Sequence, residues 1–244
     1  GIAGCSRKSG DDAGQMTYRT NPSNGDKVSI LGYGCMRLPV IKDESGNNII
    51  DQEGVNSLFD HAIENGVNYF DTAVPYHAGQ SEAVIGRILK KYPRESFYLA
   101  SKFPGYAQAN WGKAEEIFAK QLERCRVDYF DFYLFHNVCE LNIDGYLSAE
   151  FGIYEYLMEQ KRKGRIKHLG FSSHAQFATL QSFLEKHGKD MEFCQLQLNY
   201  MDVNYQAGME GLRLAHEKGL AGAIMEPLRG GKLVNQLPEK AKKI

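Results

Sequence analysis

The 244-residue sequence contains no Cys-x-x-Cys pair, and its five cysteines (Cys5, Cys35, Cys125, Cys139, Cys194) are scattered. That spacing argues against a zinc ribbon, an iron–sulfur cluster motif and a dense disulfide framework. Neither sign of charge is in surplus: 29 basic residues face 30 acidic ones, for a formal net charge of −1. No global field draws nucleic acid or an anionic membrane to such a chain. No apolar run reaches the roughly eighteen residues that a membrane-crossing helix needs. The Gly-x-Gly-x-x-Gly string of an open dinucleotide-binding sheet is missing too. The nearest run, Gly32-Tyr33-Gly34-Cys35-Met36-Arg37, lacks its third glycine. There is no Gly-x-Ser-x-Gly elbow for a serine nucleophile. The first strand carries no His-x-His pair, so a metal-dependent hydrolase barrel is disfavoured.

What is present is a core-forming chain, 43% hydrophobic and 24% charged. Its start differs from the rest: GIAGCSRKSGDDAG is small, polar and glycine-rich. Residues 1–16 read as a leader or tether, and 17–244 as one domain. Ile2-Ala3-Gly4-Cys5 resembles a bacterial lipobox, which would place a lipid anchor on Cys5 and export the chain. The plain alternative is a flexible start on a cytoplasmic protein.

Asn24-Gly25 suggests a hairpin turn between Thr17 and Leu31. After it, strand and helix patterns alternate. Strands are expected over 29–38, 67–72, 97–102, 129–136, 166–172, 193–200 and 221–225. Helices are expected over 52–65, 81–89 (with Ser81 as N-cap), 113–126, 146–163, 175–187 and 208–218. Such alternation means parallel strands with crossover helices. The expected fold is α/β, a TIM (β/α)₈ barrel with a leading hairpin, because the open dinucleotide sheet lacks its glycine signature.

In a barrel, the C-terminal strand ends converge on one mouth. Here the second strand ends in Asp71-Thr72 with Tyr76 just beyond, the third in Lys102 and the fourth in His136. Alone, each residue has an ordinary reading as a cap, a loop aromatic, a solvated lysine or a core histidine. Together they equip a site to reduce a carbonyl. A phenol is a weak acid, and an ammonium beside it lowers its pKa. Tyr76 would give the proton, Lys102 and Asp71 would tune it, and a neutral His136 would orient the substrate oxygen. Hydride must come from a cofactor. Two other readings are carried forward: Schiff-base lyase chemistry on Lys102, and a cofactor-binding or regulatory module without turnover.

These residues sit in strings that resemble the aldo-keto reductase superfamily across nearly the whole chain. The strings are Leu31 to Pro39, Asn68 to Ala73 with Tyr76, Ser81-Glu82 with Gly86, and Ala100-Ser101-Lys102. They continue with Asp131 to Asn137, Gly164 to Ser172, Gln195 to Tyr200 and Glu226 to Leu233. The resemblance implies a TIM barrel that reduces a small-molecule carbonyl with NADPH, or NADH, and needs no metal. It carries Asp71, Tyr76, Lys102 and His136 over as the catalytic set. It implies that Ser172, Ser173 and Gln195 meet the nicotinamide carboxamide and that Met225 packs on the ring. Gly34, Cys35 and Met36 would line the ribose side, and Pro227, Leu228, Gly230 and Gly231 would follow the pyrophosphate.

Departures from the family pattern stand out. Ser173 occupies a position where the family commonly has asparagine, and Met225 one where it commonly has an aromatic. The Met225-to-Leu233 string is similar to a bacterial subgroup whose members often continue into an iron–sulfur tail, but no cysteine cluster follows here. The sequence runs only about twenty residues past its seventh strand, so the expectation is a barrel truncated after that strand. For the substrate pocket, Phe103-Pro104-Gly105-Tyr106 and Trp111 suggest aromatic walls.

Overall fold

A computed structural model describes residues 15–21, 25–235, 237 and 239–240. Cys5, the lipobox-like string, most of the expected leader and Asn24 lie outside the described residues. The chain opens with a hairpin, β1 (Tyr18–Thr20) antiparallel to β2 (Lys27–Ser29). Asn21 closes its loop, accepting from Gly25 N at 2.9 Å and donating to the Asp26 carbonyl at 2.8 Å.

The remaining strands are β3 (Tyr33–Gly34), β4 (Val40–Lys42), β5 (Asn48–Ile50), β6 (Tyr69–Asp71), β7 (Tyr98–Phe103), β8 (Phe130–Val138), β9 (Ile166–Ser173), β10 (Phe193–Gln197) and β11 (Ala221–Met225). Seven of them form one sheet in the order β3-β6-β7-β8-β9-β10-β11, with every neighbouring pair parallel. The connecting helices are α1 (Gln52–Glu64), α2 (Ser81–Leu89), α3 (Ala114–Cys125), α4 (Ile143–Leu147), α5 (Ile153–Arg162), α6 (Phe177–His187) and α7 (Gly208–Glu217), and α8 (Lys232–Asn235) comes last.

The sheet curls. Gln195 on β10 donates to Asp71 Oδ2 on β6 at 3.2 Å, although three strands separate them in the sheet. The two edge strands are bridged at the mouth by Arg37, just after β3, and Glu226, just after β11, at 2.9 Å. Strand periodicity then sorts the core in two. One set of side chains, with Tyr133, Phe135, Phe171 and Cys194, packs outward against the helices. The other, with Ala100, Leu134 and Phe193, fills the barrel interior. Gly170 belongs to that inner layer, where a Cβ would lie 2.4 Å from the Phe193 carbonyl oxygen.

Three local expectations are corrected, and one further element is present. The strand read over 29–38 is broken, because Asn68 Oδ1 accepts from Ser29 N and Ser29 Oγ closes a bend onto the Leu31 carbonyl. Ser29 therefore stays with the hairpin, β3 keeps only two residues, and a 3-10 turn follows at Cys35–Arg37. The helix read over 146–163 divides into α4, a 3-10 turn and α5, because Gly152 takes φ +60 between them. Ser81 is not an N-cap. It is the first helical residue, and its hydroxyl donates to the Cys35 carbonyl (3.1 Å) while meeting Thr72 Oγ1 (2.9 Å). A second hairpin, β4–β5, was not anticipated, although Asp43 to Asn47 holds its turn: Asp43 Oδ1 accepts from Ser45 N and Asn47 N.

Candidate active site

Lys102, the penultimate residue of β7, is 1% exposed. Parallel register brings it beside β6 and β8. Its ammonium donates to Asp71 Oδ1 at 2.5 Å, to the Thr72 carbonyl at 2.8 Å and to the Tyr76 hydroxyl at 3.3 Å. All three donor hydrogens are thus directed. Burial works against the charge, but Asp71 and Tyr76 outweigh it, and the Lys102 pKa is raised. A lysine held charged by three oxygens is not a free amine, so the Schiff-base reading loses its nucleophile.

Tyr76 opens a 3-10 turn, Tyr76–Gly79, that bends through His77 and Ala78, both at φ +51. Such left-handed residues are uncommon outside glycine and cluster at functional sites. The bend is anchored, since Leu38 N donates to His77 Nε2 at 2.8 Å. Here the expected tuning is revised. Burial raises the Tyr76 phenol pKa, Lys102 lowers it and Asp71 raises it again, so the net shift is upward. Tyr76 therefore stays protonated through the neutral range.

His136 faces this group from β8. Its ring meets Tyr76 edge-on with centroids 6.2 Å apart, and Tyr106 edge-on at 5.3 Å. Burial, then Lys102, then His174 hold its pKa well below the usual histidine value. It is a neutral imidazole, and its buried Nδ1 has no partner among the described residues. Behind the site, Gln121 donates to the Lys102 carbonyl at 3.1 Å and shares buried hydrogen bonds with Glu82 and Ser101. Glu82, from the Ser81-Glu82 string, thus supports the strand that carries Lys102, a role its place in the sequence does not reveal.

The residues expected at the cofactor separate into two groups. Ser172 and Gln195 are in register on β9 and β10, and the Gln195 side chain reaches the interior at Asp71. Gly34 and Met36 are exposed beside the mouth, and Met225, half-buried, ends β11. Pro227, Leu228 and Gly230 are exposed, and Gly231 half-buried, on a turn that passes through φ +57 at Glu226, +50 at Arg229, +66 at Gly230 and +90 at Gly231. Cys35 and Ser173 do not join this group. The Cys35 thiol is fully buried in the outer core. The Ser173 hydroxyl donates to the Val138 carbonyl (2.7 Å) and accepts from Ala175 N (3.1 Å), so β-strand alternation has turned it to the helix side. Nor are all the aromatic walls at the pocket. Trp111 donates to the Gly105 carbonyl and packs on Phe151, and Phe103 is fully buried; Tyr106 alone of that set meets the site histidine.

The sequence model of the aldo/keto reductase family matches residues 31–243. The chain belongs to the aldo/keto reductase family. Among curated relatives of this aldo/keto reductase chain, a probable aldo-keto reductase of Glycine max is 31% identical over 159 residues, covering 62% of this chain and 43% of its own length. An uncharacterized oxidoreductase of Bacillus subtilis, YqkF, is 31% identical over 156 residues, covering 60% and 45%. The chain thus spans less than half the length of these two relatives. An aldo-keto reductase from Bacillus halodurans, solved in its holo form, superposes with a TM-score of 0.70 at 25% identity, covering 92% of this chain and 71% of that one. That agreement extends the barrel reading from pattern to three dimensions. Among the described residues, no helix is long and apolar enough to cross a membrane, and no cluster of metal-ligating side chains exists.

Proposed function

We propose that the chain is an NAD(P)H-dependent oxidoreductase that reduces an aldehyde or ketone to an alcohol. The observation that carries this reading is the Lys102 ammonium, buried and held between Asp71 and Tyr76 beneath a neutral His136. The donor set fits a nicotinamide: His136 Nδ1 is an orphaned buried atom, and Ser172 and Gln195 stand on the adjacent strands. Ser172, Gln195 and Met225 would hold the nicotinamide end. Gly34 and Met36 would flank the ribose, and the 227–231 turn would follow the phosphates. The cofactor supplies the hydride, which no side chain can.

The chain's own residues supply the proton and the field. Tyr76 donates its phenolic proton to the carbonyl oxygen. A raised phenol pKa does not prevent this, because an alkoxide is a far stronger base than a phenolate. Lys102 stabilises the phenolate left behind. Asp71 keeps Lys102 charged and in place. His136, kept neutral by burial, hydrogen-bonds the substrate oxygen through a ring N–H without competing as an acid. Tyr106, beside His136, borders the space the substrate would enter.

The test is turnover. The chain is mixed with NADPH, and in parallel with NADH, and with a panel of reactive aldehydes, and the loss of nicotinamide absorbance is followed. Aldehyde-dependent oxidation of the cofactor is expected. Cofactor binding with no oxidation by any aldehyde would leave a binding module in its place.

A further inference from the structure

The pairing of β8 with β9 contains one irregularity. Phe135 pairs with Phe171 and Val138 with Ser173, so His136 and Asn137 together oppose Ser172 alone. This two-against-one arrangement is a β-bulge, a device that re-aims side chains beside active sites. Phe135, Phe171, Val138 and Ser173 all lie on the helix side of the sheet. Without the bulge, strand alternation would turn Asn137 to that helix side, away from His136. With it, Asn137 shares with His136 the position facing Ser172, whose in-register partner Gln195 points into the barrel.

The backbone of Asn137 is fully engaged. Its N–H donates to Ser172 Oγ at 2.8 Å, and its carbonyl accepts from Asn142 Nδ2 at 2.7 Å. It adopts φ +54, a left-handed conformation that asparagine reaches more readily than most residues. Its side-chain oxygen, by contrast, is buried and has no partner among the described residues. A buried acceptor without a donor is costly, and a bound N–H group would remove that cost.

We propose that Asn137 Oδ1 is a recognition point for the carboxamide N–H of the nicotinamide. This rests on the cofactor reading above. The substrate carbonyl presents an oxygen, an acceptor that cannot satisfy Asn137 Oδ1. The carboxamide –NH2 is the only N–H donor on the nicotinamide ring system. Ser173, whose hydroxyl is spent on Val138 and Ala175, cannot do this work, and Asn137 supplies it from the neighbouring strand.

The experiment compares two cofactors on two proteins by titration calorimetry. NADPH is set against its reduced 3-acetylpyridine analogue, in which a methyl ketone replaces the carboxamide and leaves no N–H. The wild-type chain is set against Asn137→Gly, since glycine accepts φ +54 freely and keeps the bulge. The variant is expected to bind NADPH about fivefold to tenfold more weakly, the worth of one hydrogen bond to a buried acceptor. Its affinity for the analogue should match that of the wild type. Unchanged NADPH affinity, or equal weakening toward both cofactors, would overturn the proposal. So would a wild-type chain that binds the two cofactors equally, a comparison that needs no variant. A wild-type chain that binds neither cofactor would remove the nicotinamide reading itself, and this inference with it.

Discussion

At the mouth of the barrel, Lys102 is an almost completely enclosed cation whose carboxylate partner, Asp71, is itself only 11% exposed. At the opposite end, His168 near the start of β9 lies between Glu192 (2.5 Å) and Asp26 (3.1 Å), carboxylates left about a third exposed. Lys161 also binds Glu192 at 2.5 Å. The lower cluster joins the leading hairpin, through Asp26, to the base of the sheet. Water still reaches its carboxylates, so the charges keep much of their hydration. The upper pair gives up its hydration and links β7 to β6, a strand that the sheet already holds beside it. Burying an ion pair seldom stabilises a fold relative to apolar residues of similar size. The upper pair is the arrangement expected of a site built for chemistry, and the lower one of a fastening.

Substitutions can break this contrast, the largest effect coming first. Tyr76→Phe deletes only the proton at the mouth. Aldehyde reduction should fall by roughly 10²–10⁴-fold, the usual worth of general acid catalysis, while calorimetric cofactor affinity and melting temperature stay near wild type. Lys102→Met removes a buried charge and strands Asp71. Denaturant unfolding should register a loss of about 3–5 kcal/mol. Adding Asp71→Asn should return part of that stability, and a double variant no better than the sum of the singles would remove the argument that the pair is a buried unit. Between the two ends, Gly170→Ala forces a methyl against the Phe193 carbonyl, and chemical denaturation should show a cost of about 1–3 kcal/mol.

The smallest effect belongs to the lower end. Burial lowers the His168 pKa, but hydrogen bonds to Glu192 and Asp26 prevail, and it stands above the usual 6.5. A group raised on folding stabilises fully below its unfolded value and loses that contribution as pH rises through its folded value. The melting temperature of the wild-type chain, relative to His168→Gln, should therefore be highest below about pH 6.5. It should decline as the pH becomes more alkaline. A margin that grew with pH would contradict the fastening role.

Much of this was legible without coordinates. Period-2 and period-3.6 patterns carry their own geometry, so all seven sheet strands were found in order, and Ser81–Leu89 and Ala221–Met225 were placed to the residue. Asp71, Tyr76, Lys102 and His136 were grouped because parallel strands deliver their C-terminal ends to one face. What escaped was anything decided by contacts distant in sequence. The break after Ser29 depends on Asn68, thirty-nine residues away. The sign of the Tyr76 shift depends on how deeply the fold buries the phenol, which no string of letters records. Ser173 could be named as a cofactor residue from its position in a motif, yet its hydroxyl is consumed by Val138 and Ala175.

The bulge at His136-Asn137 is the clearest case. A continuous apolar run, Phe132 to Phe135, passes into His136-Asn137, and nothing in those letters says that both residues oppose Ser172 alone. Local propensity and periodicity settled the α/β order, the direction of the strands and which side chains gather at the mouth, because those follow from side chains spaced along one chain. Tertiary structure alone decided which side of the sheet Asn137 and Ser173 face, which charges lose their water, and where the two edges of the curl meet through Arg37 and Glu226. Each of those depends on free energies of burial and pairing that exist only once distant segments are in contact.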